Sequence, residues 1–172
     1  MSVATLGNLV EISVGFAFKS AEFSHTPTHL RLLRGDNIGQ GVVRWDSVRY
    51  FPSIPTELDH LLLAEGDVVV AMDRPWVAAG LKFAVIRSSD LPCVLVQRVA
   101  RLRSRPGLDQ RFLGYLIADQ GFVSHVLSVQ TGSTIPHISS GQIGEFRIMN
   151  HPGFDAPSGY WVPTVSLDLW AA

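Results

Sequence analysis

Two hydrophobic periods divide the chain. From residue 16 to about residue 105, apolar positions either alternate with polar ones or run unbroken, as they do in strands. In VGFAFKS, Phe16 and Phe18 alternate with small residues. In HLRLL, residues 29–33, Leu30 and Leu32 fall on one side and Arg31 on the other. The turn-rich RGDNIGQG follows, and Val42 to Arg49 is expected to return as a hairpin partner. EGDVVVAM sets a Glu65-Gly66-Asp67 turn before the continuous apolar run Val68 to Met72, which predicts a strand buried on both faces. LKFAVIR and CVLVQRVARLR read as further strands, with Val94, Val96 and Arg98 on one face and Leu95, Gln97 and Val99 on the other.

At Asp109 the period becomes helical. DQRFLGYLIADQGFVSHVLSV places Phe112, Leu113, Leu116, Ile117, Val123, Val126 and Leu127 at 3.6-type spacing, with Asp109 as N-cap and Gly121 as a bend between two helices. Ser139 or Ser140 can cap another short helix through Ile143, and Glu145 to Met149 reads as a closing strand. Thr5 to Ile12 reads as a short helix capped by Thr5. The segment 52–66 is punctuated by prolines and then rich in leucine, at Leu58, Leu61, Leu62 and Leu63. Strands, then a helical pair, then a strand predict an α+β fold: a mixed, largely antiparallel curved β-sheet with a C-terminal helical pair and short helices. The expected division is one domain over 1–150 and a tail over 151–172, in which three prolines argue against a helix.

Composition narrows the class. With 47% hydrophobic and 17% charged residues among 172, the chain is globular. No run approaches the ~18 apolar residues a membrane span needs. The N-terminal MSVATLGNLVEIS lacks the basic start of a secretory signal. One cysteine, Cys93, lies in the apolar LPCVLVQ and reads as packing. A cytoplasmic setting fits these features. The net charge of −1 argues against a general polyanion binder. Yet twelve of the 14 cations are arginines, whose planar fork suits phosphates, carboxylates and guanine. Residues 91–108 hold Arg98, Arg101, Arg103 and Arg105 and no acid, which also fits a solvated strand edge.

The segment TGSTIPHIS, residues 131–139, sets four hydroxyls and an imidazole around a stiff Ile-Pro step. So many polar groups are poor material for a core. Constellations for chemistry do not assemble. Asn150-His151-Pro152-Gly153 is not an amino-methyltransferase motif, and there is no GxGxxG or GxSxG. His25 and His29 have metal-like spacing, but Pro27 forbids the helix that would aim both at one ion. Asp67 and Asp73 could suggest a nuclease pair, although Asp67 reads better as a turn residue. No catalytic residue, metal or cofactor is expected.

Four stretches together resemble the target recognition domain of type I restriction–modification specificity subunits. They are LGNLVEISVGFAFKSAEF, LRLLRGDNIGQGVV, LLAEGDVVVAM and FLGYLIADQGFVSHVLSVQTGSTIPHISSGQIGEFRI, and they span about residues 4 to 150. The resemblance implies a non-catalytic, sequence-specific reader of one half of a split double-stranded DNA site, acting for a methyltransferase subunit and a restriction subunit. It places Thr131, Ser133, Thr134 and His137 as candidate phosphate-positioning groups ahead of a helix N-terminus; the same loop could instead close the helices onto the sheet. Base or backbone contacts would come from Lys19, Arg31, Arg34, Asn37 and Gln40 around the first hairpin. Others would come from Arg74 and Lys82 near DRPWVAAG, and from Gln97, Arg98 and Arg101 on the acid-free strand. Each alone also fits a solvated surface. Trp76 would anchor its loop or pack on a sugar.

Members of that family hold two such domains, each followed by a long spacer helix, whereas MNHPGFDAPSGYWV stands here where that helix would begin. This fits a half-subunit completed by a homodimer or a second half-subunit, a truncated gene product, or a domain serving another assembly. An alternative is an assembly module that docks on the methyltransferase without reading DNA, through Leu58–Leu63 or through Trp161 and Trp170 in the tail.

Overall fold

The computed structural model describes residues 3–27 and 30–149. The strands are β1 (Val3–Thr5), β2 (Val10–Val14), β3 (Leu30–Leu33), β4 (Gln40–Gly41), β5 (Tyr50–Phe51) and β6 (Val68–Ala71). They continue as β7 (Trp76–Val77), β8 (Gly80–Leu81), β9 (Phe83–Val85), β10 (Cys93–Leu95), β11 (Val99–Ser104) and β12 (Arg147–Met149). The helices are α1 (Leu6–Leu9), α2 (Gln110–Ala118), α3 (Gln120–Val129) and α4 (Ser140–Gly144). This is the expected α+β arrangement. The tail and its tryptophans, Trp161 and Trp170, lie outside the described residues, as does His29.

The centre is a five-stranded sheet in the order β2-β11-β6-β9-β4, antiparallel except where β4 meets β9. Its two faces feed two separate cores. Val68, Val70 and Met72 of the β6 segment join Ala100, Leu102 and Phe83 against Leu113, Ile117, Phe122, Val123 and Val126 of the helical pair. Val69 and Ala71 point the other way, with Val99 and Ala84, into a core shared with Leu32, Leu33, Cys93, Val94 and Leu95. Those last residues belong to a three-stranded sheet, β10-β3-β5. The molecule is thus layered as helices, central sheet, and smaller sheet with loops. The unbroken valine run follows from this placement, because a strand sealed on both faces has no polar side.

The ends of β6 are fixed by polar groups. The Asp67 carboxylate accepts from the Ala64 N–H at 2.8 Å, closing the turn, and takes a two-point contact from Arg103 at 2.6 and 2.8 Å. These bonds raise the Arg103 pKa, with the hydrogen bond to Asp67 as the largest cause. Asp67 is therefore a turn residue, and Asp73 sits at the opposite end of the strand.

Several local expectations are corrected. The helix expected over Thr5 to Ile12 is a single turn, α1, and the β-branched Val10, Ile12 and Val14 instead pair along β11 as β2. Phe16 and Phe18 do not form a strand; Phe16 makes one isolated bridge to Val96. A Cβ at Gly15 would sit 2.2 Å from the Val96 carbonyl oxygen, so only glycine permits that approach. CVLVQRVARLR is not one strand. It turns at Gln97-Arg98, where Arg98 has φ 63°, and passes from the small sheet to the central one. The helical pair breaks at Asp119, two residues before Gly121, with a 63° bend. Asp119 ends α2 and caps α3 by accepting from the Gly121 N–H at 2.7 Å. Leu61 and Leu63, offered as a docking contact, are buried in the chain's own second core. Among the described residues no single helix is long and apolar enough to cross a membrane.

The hairpin expected over Val42 to Arg49 does not form, and Asn37 supplies the reason. Its buried amide oxygen accepts from the Arg34 N–H at 3.2 Å, and its NH2 donates to the Arg44 carbonyl at 3.0 Å. The Arg44 N–H in turn donates to the Asn37 carbonyl at 2.7 Å. The side chain thus folds the loop upon itself, and β3 takes its antiparallel partner later, at β5. Asn37 was a candidate base reader; with 0% exposure and both polar atoms committed, it faces no ligand.

Two measurements check this architecture. Asn37→Ala strands a backbone N–H and a carbonyl, so urea melts should show a loss of about 1–3 kcal/mol. Gln40→Ala, at a partly buried position nearby, should cost less than that. Burial pushes the Cys93 thiol up to about 12. It should therefore ignore Ellman's reagent at about pH 8 in the native protein and react fully once denaturant is added.

Candidate nucleic-acid interface

Where β6 runs out, backbone hydrogen bonds stitch three separate loops into one rim. The Met72 N–H donates to the Arg98 carbonyl at 2.8 Å. The Ile138 N–H donates to the Met72 carbonyl at 2.9 Å, and the Arg74 N–H to the Pro136 carbonyl at 2.7 Å. On the far side of Arg98, the Gln97 N–H donates to the Phe16 carbonyl at 2.8 Å. Residues 16, 97–98, 72–74 and 136–138 are thus consecutive along the end of the central sheet, although the sequence scatters them. Pairing with the sheet satisfies their backbones, so their side chains project from a stiff base.

The hydroxyl-rich loop sits on this rim. Thr131 and His137 exchange backbone bonds of 2.9 and 2.7 Å, which close the loop. The Thr131 hydroxyl lies 3.1 Å from His137 Nε2, and His137 Nδ1 lies 3.3 Å from the Ile135 carbonyl. In the neutral imidazole a proton on Nδ1 donates to Ile135 and Nε2 accepts from Thr131. Gly132, at φ 92°, permits the turn, because a Cβ there would meet the Ile135 carbonyl oxygen at 2.5 Å. Thr131 and His137 therefore bond to one another, while Ser133, Thr134 and Ile135 face solvent. The N-terminus of α4 is already filled by the Ser139–Gln142 capping box. It does not act as an anion site for this loop.

The cationic side chains come from the neighbouring turns. Arg98 is paired to Asp73 at 3.8 Å, and both side chains are open to solvent at 60% and 42%. Lys82 follows the β7–β8 hairpin and is anchored by its N–H, which donates to the Pro75 carbonyl at 2.7 Å. Its ammonium is half-buried. Desolvation lowers its pKa first; Asp36 and Asp73 act against this and Arg74 with it. These four charges therefore share one field. Gln40 packs beside the same hairpin, its Cγ 3.4 Å from where a Gly80 Cβ would stand. Trp76 is 38% exposed on β7. The rim carries both signs of charge, which suits selective contact better than indiscriminate attraction.

Of the expected contact residues, Gln40, Arg74, Lys82, Gln97, Arg98, Thr131, Ser133, Thr134 and His137 meet at this rim. Four others have structural tasks. Arg31 lies 4.8 Å over the Trp45 ring and donates to the Leu91 and Ser89 carbonyls at 2.6 and 3.0 Å. Arg34 donates to the Ser47 carbonyl at 2.7 Å and is mostly buried. Asn37 is enclosed, as described above. Arg101 is 2% exposed and donates to the His60 carbonyl, the Ser13 hydroxyl and Glu11. Burial lowers its pKa first and Arg103 second. The acid-free strand thus holds Arg101 inward as a strut. Lys19 is exposed before the turn Ser20–Glu22.

Phe16 was not expected on the rim. Phe16 is 46% exposed and rests edge-on against Phe18, whose ring contacts Phe51 in turn, with centroids 5.1 and 5.0 Å apart. The signal lay in Gly15: a glycine before an aromatic marks a close backbone approach that turns the next side chain outward. Among the described residues no group of three or more His, Cys, Asp or Glu is placed to hold a metal ion.

No protein-family model matches the chain. It is 37% identical over 142 residues to the type I restriction enzyme EcoAI specificity subunit of Escherichia coli, covering 80% of this chain and 23% of that protein. It is 30% identical over 138 residues to the type I restriction enzyme MjaVIII specificity subunit of Methanocaldococcus jannaschii, covering 79% of this chain and 32% of that protein. The chain thus spans about a quarter to a third of the length of the curated relatives it matches. Among solved structures, it shares its fold with the HsdS subunit from Thermoanaerobacter tengcongensis, at TM-score 0.53 and 16% identity over 85% of this chain and 32% of that one. The S subunit of the type I restriction-modification system from M. genitalium matches at TM-score 0.54 and 16% identity, over 85% and 33%. A chain from a type I R-M system, solved to show complex assembly and conformational transition, matches at TM-score 0.57 and 18% identity, over 86% and 33%. The chain is a homologue of the type I restriction enzyme specificity subunits, and its architecture is consistent with a target recognition domain.

Proposed function

We propose that the chain is a sequence-specific double-stranded DNA recognition module, the half-site reader of a type I restriction–modification system. It does no chemistry itself and directs a partner methyltransferase subunit, and with it a restriction subunit. Residues 1–150 form one recognition domain in this reading, which meets one half of a split site. The observation that carries the proposal is the rim beyond β6. There guanidinium, ammonium, amide and hydroxyl groups from four distant segments stand together on a hydrogen-bonded base. Such groups divide the work of DNA recognition: hydroxyls and Lys82 position the phosphates, while arginine and glutamine read base edges. The relatives' names as specificity subunits support the same assignment. With a good bidentate base contact worth ~1–3 kcal/mol, a single module has few such contacts, so tight binding needs the second half-site.

The test is duplex affinity against salt. With about three phosphates neutralised, binding should weaken roughly 40-fold between ~50 and ~200 mM monovalent salt. Lys82→Gln should weaken all sequences alike and reduce the logarithmic salt slope by about one. Affinity that stays flat across this range would count decisively against DNA reading.

A further inference from the structure

We propose that Arg98 and Asp73 act as one unit that reads a single G·C base pair in the major groove, with Arg98 on guanine and Asp73 on cytosine. This inference rests on the DNA-reading function proposed above and specifies its chemistry.

Among the described residues, two non-glycine residues occupy the left-handed backbone region: Arg74 at φ 46° and Arg98 at φ 63°. Both are arginines, and both lie on the rim: Arg74 follows Asp73 in the chain, and Arg98 is ion-paired to it. That conformation is unfavourable for a residue with a Cβ, and glycine would adopt it freely. Local strain of this kind persists where surrounding structure enforces it and tends to collect at functional positions. The Arg98 backbone is held by the Met72 N–H on its carbonyl and, one residue earlier, by the Gln97 N–H on Phe16. Its side chain contributes little to folding. It is 60% exposed, and its ion pair to Asp73, at 3.8 Å, is too long to be a hydrogen bond. A strained turn thus carries a long side chain whose donors remain free.

The carboxylate decides what those donors can meet. An arginine held in an ion pair is a poorer phosphate ligand than Lys82, which feels Asp36 and Asp73 only at longer range, because the paired acid repels the anionic backbone. A base edge carries no net charge. In the major groove, guanine offers O6 and N7 side by side as acceptors, and its partner cytosine offers an amino donor. The guanidinium fork fits the first pattern, and the carboxylate accepts from the second. An A·T pair sets a donor beside the adenine acceptor, so the fork would lose one bond and face an unmatched N–H. The base pair therefore matches the residue pair in the order of its donors and acceptors.

Selection of the full 172-residue chain on a randomised duplex library tests this, with Arg98→Gly, Arg98→Lys and Asp73→Asn alongside wild type. Wild type should select a motif with an obligatory G·C pair. Arg98→Gly should lose preference at that one position, by roughly 5- to 150-fold, and keep the rest of the motif; Arg98→Lys and Asp73→Asn, which keep a donor and an acceptor there, should weaken the same preference by less. Arg98→Gly should also melt about 2–4 °C higher, because glycine takes the left-handed turn without strain. Variants that bind more weakly but keep every base preference would assign Arg98 to a phosphate and overturn the proposal, leaving DNA reading intact. A wild-type motif without a G·C pair would do the same. A lower melting temperature for Arg98→Gly would make Arg98 a structural residue, again against the proposal. A wild-type chain that selects no sequence and shows no salt-dependent duplex binding would remove both the pair and the function it refines.

Discussion

The burial of β6 on both faces is the constraint from which the rest of the structure follows. Val68, Val69, Val70 and Ala71 have no exposed surface, and they alternate between the two cores. At ~25 cal/mol per Å2 of apolar surface, a segment with no wet side is the most strongly fixed part of such a fold. A strand held this way cannot slip by one residue without exchanging its two cores. Its ends are therefore fixed in space. One end is tied by the Asp67–Arg103 contact, and the other delivers Met72, Asp73 and Arg74 to the rim.

That fixed end explains how loops can hold side chains in place. The three backbone bonds from Met72, Arg74 and Ile138 join the β6 terminus to the turn at Arg98 and to the loop 131–137. A free loop must be ordered when it binds, at a cost of about 1–2 kcal/mol per residue. Here folding has already imposed that order. The polar groups of the rim are divided accordingly: Thr131 and His137 maintain the loop, while Ser133, Thr134, Arg98 and Lys82 are turned toward whatever the rim meets.

The arginines show the same division. Arg31, Arg34 and Arg101 bond to carbonyls inside the molecule, where a planar fork can span several acceptors at once. Arg74 and Arg98 sit at positive φ on the outside. An arginine-rich, nearly neutral chain thus uses one residue type both as an internal strut and as an exposed charge on the rim. Only burial tells the two uses apart.

The sequence determined the elements whose cause is local. The valine run required a doubly buried strand, Asp109 capped its helix, Ser139 capped α4, and Gly66-Asp67 made a turn. The caps and the turn rest on contacts within a few residues, and the valine run carries its burial in its own composition, so the pattern was legible. It did not determine the path through Val42–Arg49, because that depends on where the Asn37 amide finds its partners. Nor did it show that Gln97-Arg98 is a turn between sheets, since alternation reads the same through a change of sheet. The candidate surface was legible as a set of residue types but not as a place. Tertiary structure alone brought residues 16, 73, 98 and 137 together and drew Asn37 and Arg101 inward, because hydrogen bonds between distant backbones leave no trace in local composition.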